Sequence, residues 1–280
     1  MRKIDTVAEM RAFAAKHRAD GGRLSLVSTM GALHAGHEAL IRAAMADGGT
    51  VVVSIFVNPL SFGPSENYPA YPRSLESDVE LCRVLGVAAV FAPAVEEIYP
   101  KGYSTYVTEE SISKTLCGIS RPTHFRGVAT WMTKLLNIVA PTRLYLGQKD
   151  SQHAAVIRKM AADLGYDIQF VTVPTVRETD GLAVSVRNRE LTPTQRQDAA
   201  ALHKALKRAK EMVEAGVRSN DRLIAEATHI LGQHRRIRVI YASIVDIGTM
   251  EPVREIVPGR ALMAIAAWVD EVRLADNVLL

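Results

Sequence analysis

Cysteine is scarce: Cys82 and Cys117 are the only two in 280 residues. That excludes a disulfide-stapled scaffold and a cysteine-based metal site, and both thiols are expected to be reduced and in the core. No apolar run reaches the ~18 residues of a membrane-spanning helix, so no contact with a bilayer is expected. The opening residues, MRKIDTVAEMRAF, carry charges at helical spacing and no apolar signal core. Export is therefore not expected, and the cytoplasm is the expected location. No block of Lys and Arg interleaved with aromatics marks a nucleic-acid surface. Internal repeats and low-complexity tracts are absent as well.

What is present is ordinary for a protein that folds in water: 48% hydrophobic and 23% charged residues. A chain of 280 residues can hold one large or two modest domains. The net charge of +4 is mild and suits a protein that holds small polyanions.

The chain is organised around residues 24–45, LSLVSTMGALHAGHEALIRAAM. Residues 24–28 are apolar and β-prone. A break follows at Thr29-Met30-Gly31, then His34-x-Gly36-His37. The chain next turns into an amphipathic helix with Leu40, Ile41 and Ala44 on one side. Two imidazoles and a glycine thus fall where a strand hands over to a helix. Backbone N–H groups at that helix start form an anion site, and Gly36 permits the close approach of a ligand. Each imidazole adds a donor for a phosphate.

Around this centre the pattern predicts helices over 5–16, 74–85, 128–139 and 152–164, with Leu75, Val79, Cys82 and Leu85 inward in the second. Strands are predicted over 51–57, 87–91, 103–107, 143–146 and 168–173. The near-unbroken apolar run at 51–57 suits a parallel strand covered on both faces. It ends at Asn58-Pro59, and a loop over 60–64 begins there. Residues 121–127, RPTHFRG, read as a polar loop. The βαβα alternation argues for a doubly wound parallel sheet. In such a sheet, ligands sit beyond the carboxyl ends of the strands, which places the Asn58 loop beside the HxGH loop.

Composition changes at Pro174. Residues 175–191 are polar and loop-like. Thr192, Pro193 and Gln195 then form a helix-start signature, with a helix expected to about residue 215. A helix over 221–231 and strands over 238–245 and 261–269 complete a small α+β domain. The expected division is residues 1–174 and 175–280. Lys149-Asp150 follows a strand end, where lysine can neutralise phosphate and aspartate can accept from ribose hydroxyls. Ser185-x-Arg187 lies in the loop after the boundary, and arginine suits bidentate phosphate binding. Read alone, HxGH is more readily a surface loop and Lys149-Asp150 a solvated charge pair, and Ser185-x-Arg187 is as readily a linker contact.

Taken together these segments resemble one family. TMGALHAGH at 29–37, FVNPLSF at 56–62, YPR at 71–73, LCG at 116–118, RPTHFRGVAT at 121–130, GQKD at 147–150 and VRETDGLAVSVRN at 176–188 occur in the order seen in the pantoate–β-alanine ligases, members of the HxGH nucleotidylyltransferase superfamily. The resemblance implies a Rossmann-like N-terminal domain that binds ATP and the acid, a smaller C-terminal α+β lid domain, and a homodimer. It implies two half-reactions. ATP and the carboxylate of pantoate give an acyl adenylate and pyrophosphate. The amine of β-alanine then displaces AMP. Met30, Gly31, His34, Gly36 and His37 would bind ATP, with His37 as the candidate proton donor. Gly147, Lys149 and Asp150 would hold ribose and phosphates. Val176 would meet adenine through its backbone, and Ser185 and Arg187 would grip phosphates. His34, Lys149 and Arg187 join His37 as catalytic candidates. Asn58, Ser61 and His153 would face the acid. Mg²⁺ would accompany the triphosphate, with no metal site of the protein's own.

Five positions depart from the family pattern, one of them Val184, which stands for a methionine. Ser28 stands for a proline. Ser61 and His153 stand for two glutamines of the acid pocket. Val186 stands for a serine. Serine is shorter than glutamine, and histidine is flat and titratable. Three readings therefore stay open: ligation of pantoate, a related amide ligase taking another small carboxylic acid, and a nucleotide-binding protein without ligase activity.

Overall fold

Val51, Val52 and Val53 are fully buried, as a strand covered on both faces requires. They lie in the middle of a six-stranded sheet whose pairings are all parallel. The computed structural model describes residues 1–63 and 66–280. Pro64, where the loop expected over 60–64 ends, lies outside the described residues.

The sheet contains β1 (Arg2–Ile4), β2 (Leu24–Thr29), β3 (Thr50–Ile55), β4 (Ala89–Phe91), β5 (Arg143–Gly147) and β6 (Gln169–Val173), in the order β1-β4-β3-β2-β5-β6. Between them run α1 (Val7–Ala19), α2 (Ala35–Ala46), α3 (Leu75–Val84), the short α4 (Val95–Ile98) and α5 (Cys117–Ser120), α6 (His124–Val139) and α7 (Ser151–Asp163). Residues spaced three and four apart on these helices meet the sheet: Met10, Phe13 and Ala14 on α1, and Leu40, Ile41 and Ala44 on α2. After β2 the chain winds outward through β3 and β4, then returns to place β5 on the other side of β2. That reversal is the point where ligands bind in open α/β sheets.

The second sheet is antiparallel, with β7 (Ile237–Asp246), β8 (Ala261–Val269) and β9 (Val272–Leu279) in sequence order. Two helices accompany it, α8 (Pro193–Glu214) and α9 (Asn220–Gly232). Thr192 caps α8 through the expected box with Gln195. Leu202, Leu206, Leu223, Leu231, Met263 and Ile265 are among its buried core residues.

Clustering divides the chain into two units. The first is Met1–Ser113, Arg121–Gly147 and Val156–Val173; the second is Lys114–Ser120, Gln148–Ala155 and Pro174–Leu280. Two segments from before residue 174 thus pack with the second unit, and one of them carries Lys149, Asp150 and His153.

Several local expectations are corrected. Residues 103–107 form no strand. The backbone of Val107 instead bonds the hydroxyl of Thr130 on α6, which accepts its N–H at 3.0 Å and donates to its carbonyl at 3.3 Å. Tyr103 lies under the Lys134 ammonium and Tyr106 under the Arg126 guanidinium. Helix α6 starts at His124, not at residue 128, so most of RPTHFRG is helical. Leu75 is 37% exposed rather than inward, and Asp78 is buried on α3 alongside Cys82. Strand β3 stops at Ile55 rather than residue 57. Cys117 is half-buried rather than in the core, with Sγ 3.0 Å from the Tyr241 hydroxyl.

Candidate active site

Strand β2 ends at Thr29, whose hydroxyl donates to the Ser54 carbonyl at 2.9 Å and accepts from Gly31 N–H at 3.3 Å. The chain then turns sharply, with positive φ at both Gly31 and Ala32. A side chain rarely tolerates that conformation, so the turn needs support. Asp78 supplies it from α3. Its carboxylate, 3% exposed, accepts from Ala32 N–H at 2.8 Å, Leu33 N–H at 2.9 Å and the Ser74 hydroxyl at 3.1 Å. Asp78 escapes sequence reading because a charged residue on a helix normally reads as solvated. The available signal is its place among Leu75, Val79 and Cys82 on the expected inward face.

The turn delivers His34 as the N-cap of α2. His34 Nδ1 accepts from Gly36 N–H at 3.2 Å, and His37 Nδ1 accepts from His34 N–H at 3.3 Å. The two rings form a reciprocal capping box and stack with centroids 4.0 Å apart. One N–H at the helix start, that of Gly36, thus serves His34. A Cβ at Gly36 would come within 3.0 Å of the His34 ring. The geometry also fixes the tautomer. A ring whose Nδ1 accepts carries its proton, when neutral, on Nε2. Both imidazoles are therefore Nε2–H donors, held in place by the backbone.

Beyond β3, Asn58 caps a 3-10 turn over Pro59–Ser61. Asn58 is 2% exposed and its amide is committed. Nδ2 donates to the Ser61 hydroxyl at 2.8 Å and the Gly127 carbonyl at 2.9 Å; Oδ1 accepts from Leu60 N–H at 3.2 Å and the Tyr99 hydroxyl at 3.0 Å. The turn rests directly on α6, and a Cβ at Gly127 would lie 2.1 Å from the Leu60 carbonyl oxygen. The Ser61 carbonyl accepts from His124 Nδ1 at 2.8 Å and Arg121 at 3.1 Å. Arg121 also grips both carboxylate oxygens of Glu66, at 2.8 and 2.9 Å. RPTHFRG thus clamps the Asn58 turn, with Ser61 facing inward at 5% exposure.

Burial alone would raise the pKa of Glu66. The Gly63 N–H, Arg121 and His124 outweigh it and lower the pKa below the usual 4.5. The ionised form is therefore favoured by folding. Its stabilisation is full above the unfolded-state pKa and is lost as pH falls through the folded one. Glu66→Gln is expected to be less stable than the parent at pH 7, with the gap closing below about pH 4. Urea unfolding midpoints across about pH 3–7 read this out, and a constant gap would exclude the ion pair as the cause.

In the second unit, Gln148–Asp150 forms a 3-10 turn after Gly147. The Lys149 ammonium is 3.6 Å from Asp150. His153 is half-buried; desolvation lowers its pKa below 6.5, opposed by Asp150, so it is neutral at pH 7. The Val176 carbonyl accepts Val184 N–H at 3.0 Å, closing a tight excursion over 176–184. Ser185 caps the turn over Val186–Glu190, accepting from Arg187 N–H at 3.3 Å. Arg187 donates to the Arg273 carbonyl at 3.4 Å. Within the first unit, β2 and β5 are paired neighbours, so Thr29 and Gly147 close the carboxyl ends of adjacent strands.

A model of the family described as Pantoate-beta-alanine ligase matches residues 2–279. A pantothenate synthetase of Moorella thermoacetica is 49% identical over 280 residues, 100% of this chain and 99% of that protein. A solved pantothenate synthetase of Thermus thermophilus superposes with a TM-score of 0.94 at 41% identity, covering 100% of this chain and 99% of that one. The pantoate-beta-alanine ligase of Francisella tularensis, solved with beta-gamma ATP and beta-alanine, gives a TM-score of 0.81 at 29% identity and covers 100% and 97%. The likeness spans both units, and the chain belongs to the pantoate-beta-alanine ligase family.

Proposed function

We infer that the chain joins pantoate to β-alanine at the expense of ATP, through a pantoyl adenylate, releasing AMP and pyrophosphate. The observation that carries this reading is the full-length family match together with the capped His34–His37 pair. A full-length relative at 49% identity bearing the pantothenate synthetase name favours pantoate over another acid, despite Ser61 and His153.

The chemistry explains the residue types. A free carboxylate does not react with an amine, so the acid is first activated as a mixed anhydride. Attack of that carboxylate on the α-phosphate brings anion to anion. Preorganised donors must offset the repulsion and the charge that develops on the phosphates. In this reading His34 and His37 supply Nε2–H donors, and Lys149 and Arg187 supply fixed positive charge. His37 gives the proton-bearing contact to the departing pyrophosphate. Met30, Gly31 and Gly36 shape the loop against the nucleotide. Gly147 and Asp150 hold the ribose, Val176 the adenine, and Ser185 a phosphate. Ser61 and His153 bound the acid. Asn58, whose amide is spent inside the protein, acts there by holding Ser61.

Mg²⁺ enters with the triphosphate and supplies charge neutralisation there. Among the described residues no three His, Cys, Asp or Glu side chains cluster as a metal cage. In this reading the ion would be held largely by phosphate oxygens and water. The donors on this chain then need only face the phosphates. A homodimer belongs to the same reading, and sedimentation velocity tests it.

AMP release tests the function directly. With ATP, Mg²⁺, pantoate and β-alanine, AMP and pantothenate are expected in equal amounts. Chelating Mg²⁺ with EDTA is expected to abolish AMP formation, and excess Mg²⁺ to restore it. AMP formed from another small acid but not from pantoate would overturn the assignment.

A further inference from the structure

We propose that Asn277 is a positioning residue for nucleotide binding, holding the turn that carries Lys149. The proposal rests on the reading above, in which Lys149 meets the triphosphate. Asn277 lies in β9, which has no sequence motif of its own. It is 4% exposed, and its Nδ2 donates to two successive carbonyls, Gln148 at 3.0 Å and Lys149 at 2.7 Å. One amide thus spans two peptide units of the 3-10 turn, which fixes the direction in which the Lys149 side chain leaves it. Two donors meeting two carbonyls is a fit that few side chains provide.

The neighbouring residue does the same for the other nucleotide-facing segment. Successive residues of a strand point to opposite faces. Asp276, 4% exposed, accepts from Arg177 at 2.6 and 3.2 Å, and Arg177 also donates to the Gly181 carbonyl at 3.1 Å. That bond anchors the excursion over 176–184. Arg187 reaches the same strand through the Arg273 carbonyl. Strand β9 is therefore the common frame for Lys149, Val176 and Arg187. It takes no part in the chemistry and sets where the charges stand. Asp276 and Asn277 pair with Ile265 and Ala264 of β8.

A double-mutant cycle on ATP affinity, measured by titration calorimetry with Mg²⁺, separates positioning from a general effect on the fold. Asn277→Ala is expected to weaken ATP about tenfold in the parent, the scale of one buried hydrogen-bonding group. In a Lys149→Ala background it is expected to weaken ATP less than about twofold, because the side chain it orients is gone. Asn277→Ser, which is neutral and can keep one donor toward the two carbonyls, is expected to weaken ATP less than Asn277→Ala, and replaces it if the alanine variant does not fold. Equal factors in both backgrounds would overturn the proposal, as would unchanged affinity in Asn277→Ala. Unchanged affinity in Lys149→Ala alone would instead overturn the reading of Lys149 and this inference with it.

Discussion

Replacing His37 with alanine is expected to lower AMP-forming turnover by about 10²–10³, the typical cost of removing one donor from a charge-stabilising site. The variant also loses a helix cap, and the two effects must be parted. His37→Asn does so. Its short amide oxygen can still accept the His34 N–H, while nothing reaches where Nε2–H stood. The asparagine variant is therefore expected to keep its thermal midpoint and still lose about 10² or more in turnover. Steady-state AMP release and a thermal scan on the same preparation measure both. Full activity in His37→Asn would mean that the imidazole serves only as a cap.

Asp78→Ala is expected to be the most destabilising single change near the site. The carboxylate satisfies two backbone N–H groups in a buried turn with two positive φ angles. Each orphaned N–H costs about 1–3 kcal/mol, which puts the variant on the order of 4 kcal/mol below the parent. The loss is also expected in turnover, because His34 follows the supported turn directly. Asp78→Asn keeps one acceptor oxygen and should fall between the two. Denaturant midpoints with AMP-release rates check this. A variant that lost activity while keeping parental stability would show Asp78 meeting the substrate instead of the loop.

The doubly wound sheet is legible in the sequence because β3 is an apolar run rich in β-branched residues and other short strand-like runs alternate with segments of helical spacing. The same is true of the Thr192 box, which rests on a local exchange between two side chains and the backbone between them. Elements decided by distant partners are not legible. Residues 103–107 have strand composition, yet a threonine on α6 answers their backbone first. RPTHFRG looks like a loop because Pro122 and Gly127 flank its centre. The glycine is there for contact with Leu60, not to break the helix. Strand β9 escapes a reading of local pattern because Asp276 and Asn277 resemble turn residues, and their partners Arg177, Gln148 and Lys149 lie 99 to 129 residues away. The strand-to-helix junction at the HxGH segment is readable, but the mutual capping of its two rings is not. Nothing in the string of residues indicates that a histidine will cap its neighbour's N–H.

The strand order β1-β4-β3-β2-β5-β6 also sets a timetable for the growing chain. β3 meets β2 as soon as both are made, whereas β1 has no partner until Phe91 has been added. The second edge of β2 stays open until Arg143–Gly147 emerges. A nascent chain that stops short of β5 therefore carries a bare apolar edge, the kind that pairs with other chains. Lesions that delay α6 or β5 are thus expected to appear as insoluble protein during synthesis before they appear as reduced stability in the finished molecule.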